Sequence, residues 1–482
     1  MLEDSRLSSR WVGAGLFAWG TACAALFAFV LYRSQGLIES TVDLNGFGIL
    51  SRSLAEGRGF SFGHGPTLRR APLFPFLAAG LLKLFGGGGG SDSAIYRPVI
   101  AFQCVLLGLT CVVVWTIARR LFGGRAALLA GILCPLSPQS MRYVGMTEVE
   151  PLMGLLVALL AYTGMSLVER PGAATGIRFG LTAAAATLTK PIVLLYPPVF
   201  GAAALWHWRT RIWGHEGGIR SWGHEGALRA TIMSPYGPTI MSPYGRKAQA
   251  VAALAVAVAF VLPLVPWSLR NHHVSGGQFV GISSNGPGEF LRGYVNAQPK
   301  YYLLRQDFGG HSSTAEKWDP EANAYEDHIL RQHGSSFRHF NLAGGGRVVE
   351  DSLDGMDSAQ AEAEKDRIEG AEMKRRVLRE PISFLRKFGI QVVTFWYVVE
   401  TRTRSLLVGA MALVVLGFAL AGVLRARREG KAVMPVVLVI LYYNAMYAAF
   451  LAFARYSMPL YPTLIALAAG GVTSIARREH VR

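Results

Sequence analysis

Apolar residues in this chain come in long unbroken blocks rather than at the spacings of a water-soluble helix or strand. A block of roughly 17 to 25 residues matches about 30 Å of hydrocarbon at about 1.5 Å of rise per residue. Such blocks fall at 12–32, 99–118, 126–139, 151–168, 176–189, 192–208, 248–267, 406–424, 433–453 and 460–476, about ten in all. The third and fifth are short, as expected of tilted or partly re-entrant segments. The pattern predicts an all-α polytopic membrane protein with about ten transmembrane helices and both chain ends on one side.

The polar intervals divide the chain. Residues 1–208 form an N-terminal transmembrane half that includes a first external loop, 33–98, expected to be catalytic. Within that loop the run 72–85 (PLFPFLAAGLLKLF) is apolar but too short to cross, which suits an interfacial helix lying in the membrane plane. Residues 209–247 are an insertion between spans, followed by the seventh span at 248–267, an external loop at 268–404 and C-terminal transmembrane helices at 405–482. The external loop contains an acidic, alanine-rich stretch, 350–380, that reads as a surface helix ended by Pro381.

Inside the insertion, residues 213–217 (WGHEG) recur as 222–226, and residues 231–237 (TIMSPYG) as 239–245. Two short copies do not build a solenoid. His215, Glu216, His224 and Glu225 are metal-binding residue types, but a flexible cytoplasmic insertion is the simpler reading.

Composition agrees with a membrane protein: 51% of the 482 residues are hydrophobic and 16% charged. The net charge of +17 would suggest nucleic acid in a soluble protein. Here the basic residues cluster beside apolar blocks, as at Arg119, Arg120 and Arg125 or at Arg425, Arg427, Arg428 and Lys431, which is the positive-inside pattern. They place those flanks in the cytoplasm and both long polar loops outside, and no nucleic-acid partner is expected. Cys23, Cys104, Cys111 and Cys134 all lie in apolar blocks, so no disulfide framework is implied. The first block lacks a clear small-residue cleavage site and is expected to be a retained span rather than a signal peptide.

The candidate chemistry lies on the outer side. Asp43 lies within about a dozen residues of the end of the first block, where an interfacial carboxylate can act as a base or can instead cap a helix over 47–55. Arg69 and Arg70 precede the in-plane run at headgroup depth, a position suited to a phosphate or to ordinary lipid headgroups. Glu150 heads the fourth span, Lys190 stands between the fifth and sixth, and Arg455 with Tyr456 stands between the ninth and tenth. Charges at such depth normally face a partner or a polar site, with snorkelling as the alternative. The seventh span is expected to stop at Trp267, with Arg270 and Asn271 emerging after it.

Taken in order, these segments resemble the C-type membrane glycosyltransferases, in the branch of the lipid A aminoarabinose transferase and the protein O-mannosyltransferases. The resemblance rests on Asp43, then Leu54 to Phe60 (LAEGRGF), then Arg70 to Pro75 (RAPLFP) running into the in-plane helix. It continues with Val149-Glu150-Pro151-Leu152, Leu188-Thr189-Lys190-Pro191, Pro266 to Asn271 (PWSLRN) and Arg455 to Pro459 (RYSMP). Ala71 replaces a proline of the family run, Ser457 replaces a frequent second basic residue, and Asp43 is followed by Leu44 and Asn45 rather than a second acid.

The resemblance implies an inverting glycosyltransferase of the cytoplasmic membrane, moving a sugar from a polyprenyl-phosphate donor to a lipid, glycan or protein acceptor on the extracytoplasmic face. It implies Asp43 and Glu150 as catalytic residues, with Asp43 as the base. It implies Arg70, Lys190, Arg270 and Arg455 as the cations holding the departing lipid phosphate, and Arg69, Asn271 and Tyr456 are further substrate-binding candidates. No cofactor is called for, and the missing second acid argues against a required divalent metal. A transporter or flippase of lipid-linked sugars, or an inactive structural member of an envelope-assembly complex, remain as rivals. Neither repeated transmembrane halves nor paired broken helices, the marks of a transporter, are found.

Overall fold

The structure is a computed structural model, and it describes residues 2–35, 43, 45–85, 96–141, 143–216, 245–305, 320–334, 337–341, 347–352, 356–399 and 401–479. The repeated segment with His224 and Glu225 lies outside the described residues, as do the side chains of His215 and Glu216.

A first long helix, α1 (Leu2–Gln35), leads into the first polar loop, which carries α2 (Phe47–Ala55) and α3 (Leu73–Phe85). Next come α4 (Arg97–Phe122), α5 (Gly124–Leu133), the short α6 (Pro138–Met141), α7 (Glu150–Glu169), α8 (Ala173–Thr189), α9 (Tyr196–Glu216) and α10 (Arg246–Val274). The second polar loop holds α11 (Gly286–Asn296), α12 (Pro299–Tyr302), α13 (Pro320–Gln332), a hairpin of β1 (Phe337–Asn341) and β2 (Arg347–Ser352), α14 (Ser358–Arg379) and α15 (Pro381–Thr394). The chain closes with α16 (Arg402–Arg428), α17 (Met434–Ala449), α18 (Ala454–Ser457) and α19 (Tyr461–Glu479). The protein is thus an all-α polytopic membrane protein apart from that one small hairpin.

Among the described residues, five segments are long and apolar enough to cross a bilayer by themselves: Arg10–Arg33, Arg97–Phe122, Glu150–Glu169, Arg246–Val274 and Arg402–Arg428. Their neighbours are shorter for visible reasons. Pro135 and Pro138 remove backbone donors after α5, leaving a tight turn at Cys134–Leu136 and the one-turn α6. Pro191 likewise separates α8 from α9 through a tight turn at Pro191–Val193. Helix α7 lies at the centre, with Met153, Val157, Ala158, Leu160 and Ala161 fully buried. In contrast α10 and α16 present Leu254, Leu262, Leu413 and Leu420 outward, as lipid-facing helices do.

Small residues bring the helices together, because lipid tails supply no hydrophobic drive between apolar surfaces and close backbone approach must do the work. Gly176 and Gly180 on α8 leave no room for a Cβ against α10, where it would stand 2.6 Å from the Ala252 carbonyl oxygen or 2.7 Å from that of Val256. Gly422 on α16 is tighter still, facing the Leu467 carbonyl of α19, and Gly471 returns the contact to Phe418. Gly422→Leu is therefore expected to lower stability by about 1–3 kcal/mol. Gly417→Leu, whose Cβ would meet nothing within 4 Å, should not. Thermal unfolding in detergent separates the two, and equal melting temperatures would dismiss this contact as a packing determinant.

The helix of the seventh span, α10, runs past Trp267 to Val274, despite Pro263 and Pro266. Its last turns are held by their own side chains, with Trp267 Nε1 donating to the Ile282 carbonyl at 2.9 Å and Asn271 Nδ2 to those of Gly281 and Ile282 at 2.9 and 3.1 Å. The acidic stretch does form a helix, α14, which ends before Pro381, but it is a surface helix only in part. Asp357 caps α14 by accepting from the Gln360 N–H at 2.9 Å, and the helix then buries Glu362, Lys365, Glu369 and Glu372. Opposite charges make this tolerable: Lys365 Nζ sits 2.5 Å from Glu326 Oε1, and Arg292 Nη2 lies 3.0 Å from Glu326 Oε2. The elements of the second polar loop are also pinned to the apolar helices. Lys387 Nζ of α15 donates to the Phe290 carbonyl of α11 at 3.0 Å and to the Ala449 carbonyl at the end of α17 at 2.7 Å.

Candidate active site

The first loop turns inward at Asp43, which is buried, and its Oδ2 accepts from the Ile49 N–H at 2.9 Å in the first turn of α2. The capping geometry expected as one alternative is therefore present. Gly48 lets the acid come close, since a Cβ there would lie 2.8 Å from Asp43 Oδ2 and run into the Tyr96 ring.

From this loop a chain of polar contacts crosses the molecule. Arg70 Nε donates to the Asn45 carbonyl at 3.2 Å, and Asn45 Nδ2 donates to Glu148 Oε1 at 2.6 Å. Arg455 forms the next link, with Nη2 donating to Glu148 Oε2 and Nε to Glu150 Oε1, each at 2.9 Å. Lys190 Nζ completes it at 3.3 Å from Glu150 Oε1. Four separate stretches of sequence thus meet: the first loop, the 143–150 segment that runs into the head of α7, the α8 end and the segment after α17.

Aromatic rings frame the cations. The Arg455 guanidinium lies 4.9 Å from the Tyr143 ring centroid, Lys190 Nζ 5.4 Å from that of Tyr456, and the Arg70 guanidinium 5.3 Å from that of Phe47. Tyr456 in turn stacks on Tyr447 at 4.5 Å.

Glu148 is absent from the sequence-based candidates, yet it is the most enclosed acid of the group, with no exposed side-chain surface. The signal was available, because it stands two residues before Glu150 in Thr147-Glu148-Val149-Glu150. Burial pushes its carboxyl up to about 7, against the pull of Arg455 and with further repulsion from Glu150 and Asp43. The folded protein then holds this proton to higher pH than the unfolded chain does. Its contribution to stability is complete below the ordinary carboxylate value of 4.5 and is lost as pH rises through about 7. The wild-type melting temperature should therefore fall between about pH 5 and about pH 8 by more than that of Glu148→Gln. Parallel profiles for the two proteins would contradict the assignment.

A second group of residues lies beside the first. Arg270 does not reach toward the Arg455 cluster through any described contact. Its Nη1 donates to the Thr67 carbonyl at 2.7 Å and to Asn271 Oδ1 at 3.1 Å, and its guanidinium stacks 4.9 Å from the Trp267 ring centroid. Asn271 is wholly buried, with its amide on the 281–282 backbone. Both side chains brace loops. Arg69 is only 7% exposed, and burial, reinforced by Arg70 and Arg292, lowers its guanidinium to about 10. Glu289 on α11 is a further unforeseen acid near this group, acting on Arg69 and Arg70 while accepting from Asn285 Nδ2 at 2.8 Å.

Among the described residues no group of three or more His, Cys, Asp and Glu side chains is arranged to hold a metal ion. Glu148 and Glu150 are the acids nearest to such a set, and both are engaged by Arg455. The donor set does not fit a divalent cation, and no step below uses one.

Residues 69–219 match a family described as dolichyl-phosphate-mannose-protein mannosyltransferase. Among solved structures, the chain is similar to an oligosaccharyltransferase from Archaeoglobus fulgidus in the apo form, with a TM-score of 0.52 and 12% identity, over 97% of this chain and 51% of the other. Weaker likeness links it to the archaeal oligosaccharyltransferase AglB from Archaeoglobus fulgidus in complex with an inhibitory peptide and a dolichol-phosphate (TM-score 0.49, 13% identity, 96% and 51% covered). A third is ArnT from Cupriavidus metallidurans bound to undecaprenyl phosphate (TM-score 0.35, 14% identity, 95% and 78% covered). The chain spans about half the length of the oligosaccharyltransferase chains it matches. No curated protein matches it significantly.

Proposed function

From a multi-pass membrane chain that carries the C-type glycosyltransferase fold, we propose an inverting transferase. It moves a sugar from a polyprenyl-phosphate donor to a lipid, glycan or protein acceptor on the extracytoplasmic face of the cytoplasmic membrane. One observation supports this most: the buried chain from Arg70 through Asn45, Glu148, Arg455 and Glu150 to Lys190, which joins the first loop to the ends of α7, α8 and α17.

In this mechanism the Asp43 carboxylate takes the proton of an acceptor hydroxyl as that oxygen attacks the anomeric carbon. The bond from that carbon to the phosphate oxygen breaks on the opposite face, so configuration inverts and polyprenyl phosphate leaves. Negative charge grows on the departing oxygen, and fixed guanidinium groups there lower the barrier more than mobile water would. Arg69 and Arg70 suit that role, since Arg69 is desolvated and Arg70 is held at its Nε. Lys190 and Arg455 add positive potential while fixing Glu150 and Glu148. Asp43, Glu148 and Glu150 stand against Arg70, Lys190 and Arg455, so the cluster is nearly neutral, and an arriving phosphate favours the protonated form of Glu148.

Purified protein offered labelled polyprenyl-phosphate sugars and candidate acceptors tests the proposal. Transfer with inverted configuration is the expected result. Movement of the lipid-linked sugar across a vesicle membrane with no transfer would replace it by the transporter.

A further inference from the structure

Arg69 is buried without being paired. Its Nε has no hydrogen-bond partner among the described residues, and no ion pair to its guanidinium forms there. The opposite charges nearest to it are Glu362 and Glu289, and Arg70 and Arg292 oppose it. Glu362 is the natural partner by position, yet its carboxylate is engaged elsewhere. It accepts from Thr67 Oγ1 at 2.9 and 3.0 Å and from the Leu68 N–H at 2.6 Å.

The main chain just before Arg69 is gripped from three directions. Glu362 reaches it from α14, Arg270 Nη1 holds the Thr67 carbonyl from α10, and the Ser284 N–H donates to the Leu68 carbonyl at 2.9 Å. Thr67 Oγ1 also accepts from the Arg69 N–H at 3.2 Å. Thr67 is 1% and Leu68 0% exposed, so this grip is dry. A desolvated guanidinium with no partner is unfavourable until an anion arrives, and its planar fork matches phosphate oxygens. The loop is thus fixed while the group that would contact ligand stays uncommitted.

We infer that Glu362 is the positioning residue of a phosphate site at Arg69: helix α14 clamps residues 67 and 68 so that Arg69, unpaired among the described residues, is presented to the lipid-linked phosphate, a diester in the sugar-bearing donor and a monoester in the polyprenyl phosphate that leaves. The inference rests on the transferase reading above. It assigns control of donor affinity to the external loop rather than to the membrane helices.

The test measures binding of polyprenyl phosphate itself, without sugar, beside KM and kcat for the sugar-bearing donor. Glu362→Ala should weaken binding and raise KM by about tenfold or more, with kcat changed by no more than about twofold. Glu362→Gln still offers an oxygen to the Leu68 N–H and an amide to Thr67 Oγ1, so it should stay within about threefold of wild type. Thr67→Val, which keeps shape and removes both the bond to Glu362 and the one from the Arg69 N–H, should shift KM in the same direction and serves if Glu362→Ala does not fold. Unchanged binding in Glu362→Ala and Thr67→Val, or a fall in kcat with KM unchanged, would overturn the inference. So would an equal loss of phosphatidylglycerol binding, which would make Arg69 an ordinary headgroup site. If wild type binds polyprenyl phosphate in this Glu362-dependent way but transfers no sugar, the transferase reading fails and the clamp stands.

Discussion

Arg455→Met is expected to abolish sugar transfer and to destabilise the protein together. The Arg455 side chain is 27% exposed, but its partners are not: Glu148 and Glu150 are 0% and 2% exposed. Removing one member of a buried pair leaves the other charge uncompensated, which costs about 3–5 kcal/mol. Here two carboxylates lose their shared cation, and only Lys190 remains for Glu150, at 3.3 Å. Turnover should drop by at least about 100-fold, the effect of losing one fixed donor at a site of developing charge. The double variant Glu148→Gln with Arg455→Met separates the two losses. Its melting temperature should recover part of the deficit, because a neutral amide replaces one of the stranded carboxylates, while turnover stays low. Near-normal melting and turnover in Arg455→Met would show that the ion cluster organises neither fold nor chemistry.

Asp43→Asn should lower turnover by about 100- to 10,000-fold, the range for removing a positioned base, with little change in melting temperature. Stability is expected to hold because the asparagine carbonyl oxygen can still accept from the Ile49 N–H, now 2.9 Å from Oδ2. Asp43→Leu supplies the contrast: it removes base and cap together, so it should lose about 0.5–2 kcal/mol of stability as well. Measuring both variants with labelled donor, alongside thermal unfolding, distinguishes a base from a cap. Wild-type turnover in Asp43→Asn would leave Asp43 with the structural role alone.

The apolar helices were legible because hydrocarbon imposes a simple rule: each of the ten apolar blocks overlaps helix in the expected order, although among the described residues only five helices are long and apolar enough to cross by themselves, and Leu73–Phe85, too short to cross, became a separate helix in the first loop. Boundaries at polar residues were less legible. Trp267 looked like an exit, yet Arg270 and Asn271 continue α10 because loop carbonyls from 60, 67, 281 and 282 satisfy their side chains. The acidic stretch misled for a related reason. Glu362, Lys365 and Glu369 have the composition of a solvated face, and only Glu326, Arg292 and the Thr67–Leu68 backbone, all distant in sequence, make their burial tolerable. Glu148 was missed because its one local signal, a place two residues before Glu150, does not reveal that it is buried; its importance comes from Arg455, 307 residues further on.

The sequence alone determined the crossing segments, the polar stretches between them and the residue types available there, because hydropathy and proline placement act within a turn or two of chain. Tertiary structure decided which charges meet. It joined Arg455 to Glu148 and Glu150, turned Arg270 toward loop backbone and left Arg69 unpaired, because a charge in low-dielectric surroundings is governed by whatever the fold brings within a few ångströms, and that distance is not written in the chain's order.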